Sequence, residues 1–353
     1  MTKINARIIA ASEANNHKIA TMEVTFPRFI LAELNTHRMF SRNSASSRAI
    51  PFAKMVESVK TNPFIPIAWQ IDHKGMQGTE YFTDITEIQL LEQNHLLARD
   101  SAILRAETAN EIGLTKQICN RYLEPFMWHT VLISATEYEN FFELRCPKYE
   151  VSYTTDNGNI EAKYFRSWKD LVKFHFDFFK ANRDVIEELE NASTLTRLHV
   201  NVGQAEIHMM ALAEAMWDAY NEAKFKPLKE GEWHIPFEDS INNDNFTKFK
   251  MDLWKNKQAP TDGHNDLMVK ISTAMCARVS YTVVGEEGKE PNYENDTKLH
   301  DRLSKSGHAS PFEHIAQCMT NDEYNSRLYN KGGEHGWSRN FRGFKQYRET
   351  INL

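Results

Sequence analysis

Two strand-like runs near the N-terminus constrain the fold most. ARIIAASE at residues 6 to 13 and KIATMEVTFP at 18 to 27 stand on either side of Asn15-Asn16. They read as two strands around a turn. Helical segments follow. Residues 28 to 40 carry Ile30, Leu31 and Leu34 on one side, and DITEIQLLEQNHLLARDSAILRAETANE at 84 to 111 makes a long helix. Another helix is expected over 115 to 124, and a further one from Gln204 to about Lys224. The last places Ile207, Met210, Ala211, Glu214 and Trp217 at helical spacing, a stripe of the kind that packs a core. Between them, YEVSYTTDNGNIEAKYF (149 to 165) reads as a hairpin turned at Asp156-Asn157-Gly158. The aromatic-rich helix DLVKFHFDFFKANRDVIEELE comes next, and residues 226 to 266 look polar and loop-like. Strands and helices in this mixture make an α+β chain.

A length of 353 residues suits two domains, or one large domain with insertions. The net charge of -6 argues against a general nucleic-acid binder, which would carry a basic excess. Cys119, Cys146, Cys276 and Cys318 form no C-x-x-C pair, so neither a zinc ribbon nor a redox motif is expected. Their wide spacing suggests reduced thiols in a cytosolic protein. The opening MTKINARIIAASEANN lacks an apolar signal region, and no apolar run approaches the ~20 residues of a membrane helix. A soluble cytoplasmic protein with no membrane partner is the expectation.

Three segments concentrate chemistry. THRMFSRNSASSRA, residues 36 to 49, packs Ser41, Ser44, Ser46 and Ser47 with Arg38, Arg42 and Arg48 directly after an apolar run. Guanidiniums and hydroxyls together make a phosphate cradle plausible, although a solvated loop has the same composition. No Gly-rich phosphate loop or G-x-G-x-x-G follows a strand. GHASPFEH, residues 307 to 314, holds two histidines, a serine and a glutamate. His308 and His314 are six apart with Pro311 between them, so they share no helical face and no metal is expected. ATEYENFFELR ends in Arg145, with Asn140 five residues before it. FRGFKQYR at 341 to 348 either completes a site or forms a terminal helix with a solvated face.

Together these segments resemble the flavin-dependent thymidylate synthases. That family's signature reads R-H-R-x-x-S-x-N-E-x-S-x-R-Y. This chain keeps His37, Arg38, Ser41, Asn43, Ser46 and Arg48, and departs at Thr36, Ser44 and Ala49. CARVS (276 to 280) and GHASPFEH resemble its A-A-R-V-S and G-H-x-[ST]-P-F-E-H elements. NFFELR (140 to 145) and QAEI (204 to 207) resemble its third element, and Arg121 in CNRYLEP resembles a further family arginine. The order is permuted, with CARVS and GHASPFEH after the rest, which a fold with neighbouring termini tolerates. The resemblance covers about 150 residues in three blocks. It implies a mixed sheet with long helices. The core is expected at 1–145, 201–225 and 267–353, with insertions at 146–200 and 226–266.

The resemblance also implies a reaction and roles. NADPH reduces FAD, and the reduced flavin mediates passage of a one-carbon unit from methylenetetrahydrofolate to carbon 5 of dUMP, giving dTMP. His37, Arg38 and Asn43 would touch FAD; Ser280, His308, Ser310 and Glu313 would line the flavin site with Asn140. Ser44, Ser46 and Arg48 would bind the nucleotide, with Arg121 on its phosphate. Arg145 would stabilise charge developing on the pyrimidine. A pyrimidine deoxynucleoside monophosphate is the expected partner, in a homo-oligomer, a tetramer by resemblance. Ser44 in place of the family's Glu leaves open a methylase or hydroxymethylase acting on dCMP or dUMP, or a relative that binds without turnover. Cys146 lacks the P-C-H context of a nucleophilic cysteine, since Pro147 and Lys148 follow it.

Overall fold

The computed structural model describes residues 3–75, 78–155, 157–241, 243–255, 263–279, 292–327 and 334–353. Its centre is a hairpin of β1 (Asn5–Ala14) and β2 (His17–Pro27), paired antiparallel from Ala14↔His17 outward. Asn15 and Asn16 both take left-handed φ, 52° and 60°. Asparagine tolerates that conformation, and two such residues in a row give a turn whose twist matches the strands. β2 pairs on its other side with β4 (Trp128–Ala135), and β3 (Ser41–Ser44) adds to the far edge of β4. A short parallel partner, Lys226–Pro227, joins β1. The sheet is therefore mixed, and the fold is α+β.

Alternation sets the two faces of the sheet. Ala20, Met22, Val24 and Phe26 of β2 share one face with Val131, Ile133 and Ala135 of β4. The helix Ile207–Glu222 covers that face through Met209, Leu212, Ala213 and Met216. Truncating a residue such as Leu212, fully buried here, costs about 2–5 kcal/mol. Leu132 and Ser134 point the other way. Leu132 joins Ile241, Phe246, Leu267 and Ile271 in a second core, beside the helix His264–Arg278.

Several elements differ from the sequence expectation. The 28–40 helix shrinks to Arg28–Ile30 and Leu31–Leu34. Arg42 donates to the carbonyls of Leu34 and His37 at 3.2 and 3.0 Å, and these take the place of further helical partners. The 115–124 helix is α only over Lys116–Cys119. It then tightens to a 3-10 segment, Asn120–Phe126, that contains Pro125. The 170–190 helix splits into Trp168–Asp177 and Arg183–Glu190, because Lys180 turns left-handed and Asn182 starts a new helix by accepting from Val185 N. Residues 226–266 are not loop-like throughout. They supply strands, the helix Asp244–Lys255, and the core residues Ile235, Ile241 and Phe246, whose apolar side chains are spaced too widely to give a pattern. The long helix Ile85–Glu111 forms as expected, with the Asp84 carboxylate accepting from Thr86 N and Glu87 N. Among the described residues no helix is long and apolar enough to cross a membrane.

Candidate functional site

β3 delivers the Arg- and Ser-rich segment to the sheet edge, pairing Ser41 with Ser134 and Ser44 with Val131. Beyond it, Ala45 N donates to Thr130 O at 3.0 Å and the chain turns over Ser46–Ala49. Asn120 holds this turn from beneath. Its Nδ2 donates to Ser47 O at 2.7 Å and Ile50 O at 3.1 Å, and the side chain is wholly buried. A cleft of about 450 Å3 opens above, lined by Asn43, Ser44, Ser46, Arg48, Ala49, Gln117 and His308. Arg48 is exposed to it with neither a hydrogen bond nor an ion pair among the described residues.

His308 arrives from the C-terminal third through a specific turn. The helix Tyr293–Lys305 ends at Gly307, whose φ of 72° is left-handed. Gly307 N donates to Ser304 O at 3.1 Å and His308 N to Leu303 O at 3.0 Å, a Schellman closure that only glycine forms without strain. The chain then doubles back and Ser310 Oγ donates to Asn43 Oδ1 at 3.2 Å. Asn43 Nδ2 in turn donates to Cys276 O at 2.5 Å, so one amide joins β3 to both later motifs. The segment FRGFKQYR braces the same junction, with Phe341 and Phe344 wholly buried. Gln346 Nε2 donates to Ser41 Oγ at 3.1 Å and to Glu313 O at 3.2 Å. Asn340 Nδ2 donates to Ser41 Oγ at 3.0 Å, and Arg348 pairs with Glu313.

The cleft thus gathers Asn43, Ser44, Ser46, Arg48 and His308, with Ser310 bonded to its wall. It does not gather the other expected residues. Arg145 Nε donates to His37 Nε2 at 3.0 Å while its Nη1 pairs with Glu33. His37 is buried against Phe40 and Phe141. Burial first, then the charges of Arg145 and Arg42, lower its pKa to about 4, so the ring is neutral and can accept that bond. His37 is turned into the protein. Arg38 and Asn140 are exposed outside the lining. Arg121 lies 3.3 Å from Glu124, and Glu313 is taken by Arg348. Ser280 lies outside the described residues.

Sequence reading missed Gln117, Asn120, Asn340 and Gln346. The one available signal was the proximity of Gln117 and Asn120 to Arg121 in KQICNR. It also missed a buried polar chain on the second face of the sheet. Ser12 Oγ meets His234 Nδ1 at 2.9 Å, and His234 Nε2 meets Thr21 Oγ1 at 2.9 Å. Thr21 Oγ1 meets Ser134 Oγ at 2.6 Å, and Ser134 meets His314 Nδ1 at 2.8 Å. Complete burial lowers both histidine pKa values to about 3, with Lys226 adding at His234 and His234 adding at His314.

The lining sets the amides of Asn43 and Gln117, the hydroxyls of Ser44 and Ser46 and the His308 imidazole around one guanidinium, with no carboxylate and no Phe, Tyr or Trp ring. That chemistry fits a phosphate, of a nucleotide or of a dinucleotide cofactor. It offers no flat apolar wall for a flavin ring. Nucleophilic cysteine chemistry is disfavoured, since burial drives the Cys146 and Cys276 thiols far above their usual pKa.

No protein-family model matches the chain, and no curated protein matches it. Among solved structures the chain is similar to a UMP/dUMP methylase, PolB from Streptomyces cacaoi, in two forms. With the form bound to 5-Br UMP it shares 15% identity over 42% of this chain and 79% of that one, at a TM-score of 0.34. With the form bound to 5-Br dUMP it shares 12% identity over 43% and 82%, at 0.35. Overlaps this slight carry no argument about activity.

Proposed function

We propose that this chain is a pyrimidine-nucleotide C5-methylase, taking dUMP to dTMP with FAD, NADPH and methylenetetrahydrofolate. One observation carries the reading: an unpartnered Arg48 in a polar cleft shared by the segment 36–49 and GHASPFEH. The volume suits one mononucleotide, toward the lower end of the ~300–1,000 Å3 of small-molecule pockets. Arg48 binds the phosphate, with Ser44, Ser46 and Gln117 as neutral donors beside it. Asn120 and Gln346 hold the two walls in place. When bound, FAD supplies the redox chemistry; its phosphates suit the same kind of donors, and its ring needs surface beyond this cleft. Neither Cys146 nor Cys276 serves as a nucleophile.

The ion pair of Arg145 with Glu33 favours a second reading, a relative that binds nucleotide or flavin without turnover. The test is a product assay by mass spectrometry with dUMP and dCMP side by side, each supplied with FAD, NADPH and methylenetetrahydrofolate. Methylated dUMP supports the first reading. Modified dCMP moves the substrate but keeps the reaction class. Saturable nucleotide binding with no product from either selects the second reading, and no binding of either nucleotide overturns both.

A further inference from the structure

The helix Ile85–Glu111 carries apolar residues on two faces. One face is satisfied within the chain: Ile103 and Ala106 are buried against Met55, Val56, Val59, Leu123 and Phe126. The other is not. Leu90, Leu97 and Leu104 stand 58%, 58% and 57% exposed. They recur every seven residues, so they form one stripe down the helix, about 21 Å long at ~1.5 Å per residue. A surface helix ordinarily shows solvent a polar face opposite its apolar one. A seven-residue leucine spacing is instead the pattern of a helix that packs against another helix.

Charge on the flank of the stripe indicates which helix. Glu87 and Arg105 are eighteen residues apart, five full turns at ~3.6 residues per turn, so both project on the same side of the leucines. Neither has an ion-pair partner among the described residues. Their midpoint is residue 96, beside Leu97. A two-fold axis at Leu97, with the second helix antiparallel, sets Leu97 against its own copy and Leu90 against the copy's Leu104. The same axis leaves Glu87 and the copy's Arg105 only about 3 Å out of step along the helix, at ~1.5 Å per residue, so each long side chain reaches its opposite charge. A stripe that complements itself in both shape and charge is the signature of an isologous contact.

We propose that Leu90, Leu97 and Leu104, flanked by Glu87 and Arg105, are a docking surface for a second copy of this chain, packed antiparallel along the same helix. One helix pair buries less than the ~1,600 Å2 of a standard interface, so the association is reversible and concentration-dependent.

The experiment is sedimentation equilibrium of the full chain over a wide concentration range. The variants are Leu97→Arg, Glu87→Arg, Arg105→Glu and the double exchange, each checked for native thermal melting. The expected result is self-association of the parent chain and at least a halving of assembly mass for Leu97→Arg. Each single charge reversal weakens association about ten-fold or more, and the double exchange restores it. A parent chain that is monomeric throughout overturns the proposal and leaves the stripe to a different protein. It is equally overturned if Leu97→Arg assembles like the parent, or if the double exchange associates no better than the single reversals.

Discussion

Asn120→Ala tests whether the cleft is held by the residue beneath it. Asn120 Nδ2 is the donor to Ser47 O and Ile50 O, at 2.7 and 3.1 Å, while its own Oδ1 is buried without a partner. Removing the side chain therefore strips two acceptors and costs nothing on the Oδ1 side. The Ser47 bond is buried, so its loss leaves an unsatisfied carbonyl worth about 1–3 kcal/mol; the Ile50 bond is half-buried and worth about 0.5–1.5 kcal/mol. The sum is about 1.5–4.5 kcal/mol. At roughly 2 °C per kcal/mol for a chain of this size, Tm falls by about 3–9 °C. The turn carrying Ser46 and Arg48 also loses its support, so dUMP affinity by calorimetry should fall about ten-fold or more while the far-UV spectrum stays native. Asn120→Asp keeps the shape but turns the donor into an acceptor facing two carbonyls, and should be no more stable than the alanine variant. If Asn120→Ala melts with the parent and binds dUMP equally, the claim that this amide shapes the cleft is wrong.

Arg48→Ala removes a charge-assisted phosphate contact, about 1.5–3 kcal/mol, so nucleotide titration should show affinity down about 10- to 150-fold with Tm unchanged. Arg145→Ala should lower kcat more than KM in the product assay if its guanidinium leaves Glu33 for the pyrimidine, and Cys146→Ser should leave turnover intact. For pH, His234 and His314 fold with pKa values lowered to about 3 from 6.5. The folded chain keeps them neutral while the unfolded chain protonates them. Their contribution is therefore fully present above pH 6.5 and is lost as pH falls toward 3, at no more than about 1.4 kcal/mol per group per pH unit. Urea midpoints should drop between pH 7 and pH 5, and His314→Phe should shallow that dependence.

The hairpin was legible because Asn15-Asn16 punctuates two short runs locally, and the long helix because a helical stretch runs unbroken over residues 84 to 111. The cleft was half legible. Its charged and hydroxyl side chains cluster along the chain at 43–48, and GHASPFEH is compact, so both announce themselves. The residues that hold them do not. Asn120, Asn340 and Gln346 act through carbonyls and hydroxyls far away in sequence, and a lone amide in a polar stretch carries no local signal. The partners of Arg145 were hidden for a related reason. Its pattern gave its position on a helix end but not the competition from Glu33 and His37 for its guanidinium. The region 226–266 misled because its buried residues are spread among charged ones, and burial there is decided by packing against the helix His264–Arg278.

The bond between Ser310 and Asn43 joins residues 267 apart. On a ribosome adding ~5–20 residues per second, β3 waits on the order of 13–53 s between its own emergence and that of its partner. During that interval the nascent chain holds one wall of the cleft and an edge strand not yet braced by the C-terminal segment, since Asn340 and Gln346 do not yet exist to meet the Ser41 hydroxyl. An unguarded edge strand recruits other strands. The half-made polypeptide is thus the form most in need of a chaperone, and slow translation after residue 44 should lower the soluble yield without altering the finished protein.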